Sequence, residues 1–164
     1  MKGYEIVLTA DRSFMSDYHL LPFLRGLRFA STCMLHPSIF FRFVGPKVLR
    51  TVDGMALLAP YHTRRTEAAL LNHGFDENQV AVVTPDEVCS FIGPSTKIVS
   101  ITVRDPLSKI HQYSFLNPLR RESYSSLSFK KLVGELHLKK RRFRVVVEGP
   151  GAWQLKSLED RRRF

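Results

Sequence analysis

The chain reads as one α/β domain with a mainly parallel sheet, and three observations predict it. From Met55 onward, short apolar runs alternate with helical patterns, the order that builds a parallel sheet covered on both faces. The last run, Val145-Val146-Val147, is β-branched throughout with no polar alternation, as in a strand buried on both sides. It leaves through Gly149-Pro150-Gly151 into a short helical pattern. Strand, glycine-rich turn and helix start is how an open α/β sheet builds a ligand-facing edge.

The elements follow in order. Glu5-Ile6-Val7-Leu8-Thr9 is the first strand, ending in the polar loop Ala10-Asp11-Arg12-Ser13. Phe14 to Phe23 is aromatic-rich, and Pro22 breaks any helix there. Ile39 to Val44 has strand character and stops at Gly45-Pro46. Asp53-Gly54 is a hairpin-type turn before the apolar run Met55 to Ala59. Pro60 opens a helix whose apolar stripe is Tyr61, Ala68, Leu71 and Phe75, with Gly74 as its C′ residue.

Gln79 to Val83 is the next strand. Thr84-Pro85-Asp86-Glu87 has the form of a capping box, with proline at the first helical position. That helix ends by Gly93-Pro94, and Lys97 to Val103 is a further strand. Arg104-Asp105-Pro106-Leu107-Ser108 closes it, and no pattern follows as far as Asn117-Pro118. Phe129, Leu132, Val133 and Leu136 make one helical face, with Ser125 or Ser126 as the expected N-cap. The expected core is Ile6, Leu8, Leu71, Val80, Val82, Ile98, Ile101, Leu132, Val133, Leu136, Val145 and Val147. Three polar strand ends then gather on one edge: Ala10-Asp11-Arg12, Arg104-Asp105-Pro106 and Gly149-Pro150-Gly151.

At 164 residues the chain suits a single domain, and 44% apolar residues argue for a folded core. No apolar run approaches the ~20 residues of a membrane helix. The N-terminus enters a strand pattern without a signal-peptide core, so the expected location is cytoplasmic. Cys33 and Cys89 sit in apolar surroundings and read as buried small hydrophobes. The net charge of +10 is uneven: Arg120 to Arg144 holds nine Lys or Arg against Glu122 and Glu135, and Arg161 to Arg163 add a cluster. Such a run is either a solvated helix end or a surface for nucleic acid or an acidic partner. The six histidines show no zinc spacing, and there is no dinucleotide or phosphate-loop glycine motif.

The three loops carry a resemblance. With Leu58-Ala59-Pro60-Tyr61, Glu67 to Leu71 and Ile92-Gly93-Pro94, they make most of the chain resemble the N-terminal cobalamin-binding-type domain of B12-dependent radical S-adenosylmethionine proteins. The most specific stretch is Gly149-Pro150-Gly151-Ala152-Trp153-Gln154-Leu155. The resemblance implies a Rossmann-like or flavodoxin-like three-layer domain that holds a corrinoid over a following barrel. It implies a cofactor edge made of Ala10, Asp11, Arg12, Thr102, Asp105, Pro106, Gly149, Pro150, Gly151 and Trp153. Thr102 and Asp105 are expected to bond corrin amides, the Gly149 and Gly151 amides to face the groove, and Trp153 to pack beneath the turn.

In that family the barrel binds a [4Fe–4S] cluster through Cys-x-x-x-Cys-x-x-Cys and cleaves S-adenosylmethionine, commonly for methyl transfer. Two cysteines 56 positions apart cannot make that loop, so residues 1–164 are expected to be a domain cut off before its catalytic half and inactive alone. The expected partner is a separate radical S-adenosylmethionine domain or protein. Alternatives are a corrinoid-free interaction module and a basic nucleic-acid-binding protein. Asp17-Tyr18-His19 has the Asp-x-His spacing of modules that give cobalt a histidine, but Pro22 stands where those have glycine. Glu148 replaces a family glycine, and its carboxylate is expected either to intrude on the groove or to pair with Arg104 or Arg12.

Overall fold

The structure, a computed structural model, describes residues 3–16, 39, 42, 48–110, 122–139 and 142–156. These form an α/β domain around a four-stranded, all-parallel sheet, in the three-layer arrangement of Rossmann-like and flavodoxin-like folds. The strands are β1 (Ile6–Ala10), β2 (Val80–Val82), β3 (Ile98–Thr102) and β4 (Arg144–Glu148). The helices are α1 (Arg12–Met15), α2 (Tyr61–Asn72), α3 (Val88–Phe91) and α4 (Tyr124–His137), and a 3-10 turn spans Ala152–Leu155.

Side chains alternate across a strand, so each strand feeds two cores. Val7, Ala81, Val99 and Ile101 pack under α3 and α4, against Val88, Phe129, Leu132, Val133 and Leu136. Ile6, Leu8, Ala10, Val80 and Val82 pack on the other face, with Leu70 of α2 and Phe75 beyond it. The sheet order is β2-β1-β3-β4. The chain therefore leaves β1 to one side, returns across it, and continues on the other. That reversal lies between β1 and β3, and open α/β sheets hold ligands outside the carboxyl ends of such a pair.

Several expectations are corrected. The three valines of β4 are not fully buried: Val145 is 42% exposed, Val146 is 44% exposed, and Val147 is half-buried. The cause is an uncovered end: among the described residues β4 pairs only with β3, whereas β2 at the other end of the sheet is covered by Met55 and Ala56. Leu71 and Ile98 are half-buried rather than core. The inward side of α2 is set by Thr63, its one buried residue, and by Leu70, while Tyr61 and Ala68 face out.

The capping box does not form. Glu87, not Thr84, is the N-cap of α3 and makes no side-chain capping bond, its carboxylate pairing with Arg50 instead, and the buried Thr84 hydroxyl has no partner among the described residues. The N-cap of α4 is Ser123, whose hydroxyl accepts from Ser126 N (3.2 Å), so this helix starts earlier than expected. Ile39 and Arg42 are helical instead of extended. The turn at Asp53-Gly54 forms, with Gly54 at φ 84° and Arg50 bridged antiparallel to Ala56. Cys89 is half-buried, and burial pushes its thiol pKa up. His19, Cys33, Asn117-Pro118, Arg120, Arg121 and Arg161 to Arg163 lie outside the described residues. Among the described residues no helix is long and apolar enough to cross a membrane.

Candidate functional site

The first loop of the carboxyl edge is built around Asp11. It follows β1 directly, is fully buried, and caps α1 by accepting from Phe14 N (3.2 Å). The Ser13 hydroxyl donates to the same oxygen (2.5 Å), and the Ser125 hydroxyl of α4 donates to the other (3.0 Å). Arg12 N donates to Ser128 Oγ (2.7 Å), a second tie to α4, and the Arg12 guanidinium lies 3.6 Å from Asp86. Burial raises the Asp11 carboxyl to about 6, against the lowering effect of its hydrogen bonds.

The second loop follows β3. Asp105 is buried, and its Oδ1 accepts from Ile110 N (3.1 Å) and Gln154 Nε2 (2.8 Å). Gln154, also buried, returns the tie by accepting from Leu107 N (3.0 Å). Pro106 O accepts from the Ser126 hydroxyl (2.8 Å), and Ser123 N donates to Ser108 Oγ (2.8 Å). The start of α4 and the 3-10 turn thus clamp the loop from both sides.

The third loop is the glycine turn after β4. Gly149 has φ 94°, a conformation that glycine adopts without strain. Gly151 is needed for a different reason. Its N–H donates to Val103 O (3.0 Å), and a Cβ there would lie within 3.0 Å of the Arg104 carbonyl and 2.8 Å from Pro106 Cδ. The turn is therefore pressed onto the β3 loop, and the Gly151 amide is engaged inside the fold rather than turned outward.

Glu148 takes neither expected course. The Thr66 hydroxyl of α2 donates to its Oε2 (2.8 Å) and the Thr102 hydroxyl to its Oε1 (3.1 Å), while Thr63 donates to Thr102 Oγ1 (2.8 Å). A half-buried carboxylate that accepts two hydroxyls is not an unmatched charge. This chain of hydroxyls fastens the start of α2 across β3 and β4. Beside it, a cavity of about 400 Å³ is lined by His62, Arg65, Thr66, His73 and Glu148 among others.

The expected site residues are thus brought to one edge: Ala10, Asp11 and Arg12 after β1, Thr102, Asp105 and Pro106 at the end of β3, and Gly149, Pro150 and Gly151 after β4. Trp153 stands on the same edge but is 51% exposed, so it does not pack beneath the turn. The sequence reading missed Thr63, Thr66, Ser125, Ser128 and Gln154, whose hydroxyl and amide groups do most of the fastening. The serine-dense start of α4, Ser123 to Ser128, was the signal for part of this set, because hydroxyls crowded on a buried helix start need acceptors.

A corrinoid can be tested against this geometry. Beneath the edge, the space between strands is filled by the bonded sets Asp11–Ser125, Asp105–Gln154 and Glu148–Thr66–Thr102. A broad ligand would have to lie across the edge, because the ends of β3 and β4 are joined there by the Thr102–Glu148 and Gly151–Val103 bonds. Pro150 and Trp153 are exposed on this edge, and Arg12 and Arg104 are half-buried. Among the described residues no group of three or more His, Cys, Asp or Glu could hold a metal ion. The chain matches no protein-family model, no curated protein and no solved structure.

Proposed function

We propose that this chain is the cobalamin-binding-type domain of a B12-dependent radical S-adenosylmethionine protein, presenting a corrinoid to a separate catalytic half in the cytoplasm. One observation carries the reading. The loops after β1, β3 and β4, which bear the resemblance, meet at the carboxyl edge where the strand order reverses. When bound, methylcobalamin supplies the methyl group for transfer. Asp11 and Asp105 set the shape of two loops, and Gly149 and Gly151 keep the third close to the sheet. Arg12, Arg104, Pro150 and Trp153 are the groups placed to meet a ligand laid across them. The [4Fe–4S] cluster and S-adenosylmethionine belong to the partner half, because Cys33 and Cys89 cannot supply three thiolates in one loop.

Titration with hydroxocobalamin tests this. The visible spectrum of the corrinoid should change saturably, with quenching of Trp153, the single tryptophan. Trp153→Ala should weaken binding by about tenfold. Glu148→Gly should leave affinity nearly unchanged, because the carboxylate is held by α2, but should cost about 1–3 kcal/mol of stability. A wild-type spectrum that never saturates overturns the corrinoid.

A further inference from the structure

We propose that β4 is a docking edge for an extended acidic segment of a partner protein, which adds to the sheet as a fifth strand. The proposal is independent of the corrinoid. β4 ends the sheet, and among the described residues no strand pairs with its outer side. Val145 and Val146 are both more than two-fifths exposed although they point to opposite faces. An uncovered edge with apolar side chains on both faces is a template for another strand.

The two faces specify different side chains for the incoming segment. Toward α4, a cavity of about 450 Å³ runs along β4, lined by Val133, Leu136, Val145 and Val147, with His137 and Lys156 also contributing. It suits apolar side chains. By strand register, Arg144, Val146 and Glu148 share the opposite face, beside the cavity that holds Arg65, His62 and His73. That face suits carboxylates. The segment is therefore one that alternates apolar and acidic residues.

Charge names the partner. Arg12, Arg50, Arg64, Lys97, Lys130 and Lys131 each pair with a carboxylate of this chain. Arg65, Arg142, Arg144 and Lys156, which flank β4 or face it, have no such pair among the described residues. A second copy of a chain with net charge +10 would bring like charges together at this edge. A nucleic acid would satisfy the cations but supply neither a backbone ladder nor aliphatic side chains to the valines.

The probe is a blocked peptide of about ten residues alternating valine and glutamate, enough to span the five of β4. It is titrated into the full chain and followed by Trp153 fluorescence and by exchange of the Val145 and Val147 amides, which face away from β3. Expected are saturable binding, slowed exchange at β4, and a loss of at least about tenfold for a valine–lysine peptide. Methylating the valine amides or the glutamate amides should abolish binding in one case and not the other, since alternate N–H groups face opposite edges. Which one fails gives the strand direction. An Arg65→Glu, Arg144→Glu variant should favour the lysine peptide. The proposal is overturned by no binding, or by both methylated peptides binding like the parent. It is equally overturned by Val145 and Val147 amides already protected in the free monomer, by self-association that covers the edge, or by a single-stranded DNA oligomer that displaces the peptide.

Discussion

Gly151→Ala is expected to destabilise the domain by about 4 kcal/mol or more, or to prevent folding altogether. The new methyl group would fall within 3.0 Å of the Arg104 carbonyl carbon and oxygen, both backbone atoms with no rotamer to escape into. Pro106 Cδ, at 2.8 Å, blocks a third direction. Relief requires the turn to lift from the β3 loop, which would pull Gly151 N away from Val103 O and strain the Asp105–Gln154 tie. Gly151 has φ −95°, so a loss of stability would come from contact and not from backbone preference. Gly134 is the control. It lies in α4 with nothing within 4 Å of a Cβ, and Gly134→Ala should stabilise by about 0.5–1 kcal/mol. Urea unfolding followed by Trp153 fluorescence measures both. A Gly151→Ala protein within about 1 kcal/mol of wild type would sink the view that the turn is pressed shut.

What the sequence disclosed divides by range. Strands show as short apolar runs, and β1, β2 and β3 lie where those runs are, because apolar burial on both faces of a covered strand leaves a local mark; β2 ends the sheet but is covered by Met55 and Ala56. β4 carries the same mark without the burial, since a run of valines does not record whether a neighbour exists on its far side. The stripe on α2 was misplaced for a related reason: Thr63 and Thr66 face the sheet and find partners in Thr102 and Glu148, so hydroxyls occupy positions where periodicity looks for apolar residues. Convergence of the three loops followed from strand–helix alternation alone. That Asp11 and Asp105 are engaged internally did not, because Asp11 bonds Ser125 and Asp105 bonds Gln154, pairs far apart in the chain that only the fold brings together.

Asp11 is expected to make the domain less stable as pH rises from about 4 to about 6. Its carboxyl is fully buried, and that burial, outweighing the Ser13, Ser125 and Phe14 bonds, moves its pKa from 3.8 to about 6. Below pH 3.8 the group is protonated folded or unfolded, and its full contribution is present. Between the two values the unfolded chain has released the proton while the folded one retains it, so each pH unit removes up to about 1.4 kcal/mol. Above about 6 both states are ionised and the loss levels off near 3 kcal/mol. Asp11→Asn isolates this effect. The amide carries no titrating proton, keeps one oxygen to accept from Phe14 N, and offers an N–H to Ser125, much as a protonated carboxyl would. Other carboxylates act equally on both proteins, so the stability of wild type minus that of Asp11→Asn should fall by about 2.5 kcal/mol between pH 4 and pH 7. Urea midpoints across that interval give the difference directly. A difference that stays flat means that the hydrogen bonds of Asp11 balance its burial, and one that rises with pH means that they outweigh it; either result overturns the raised pKa.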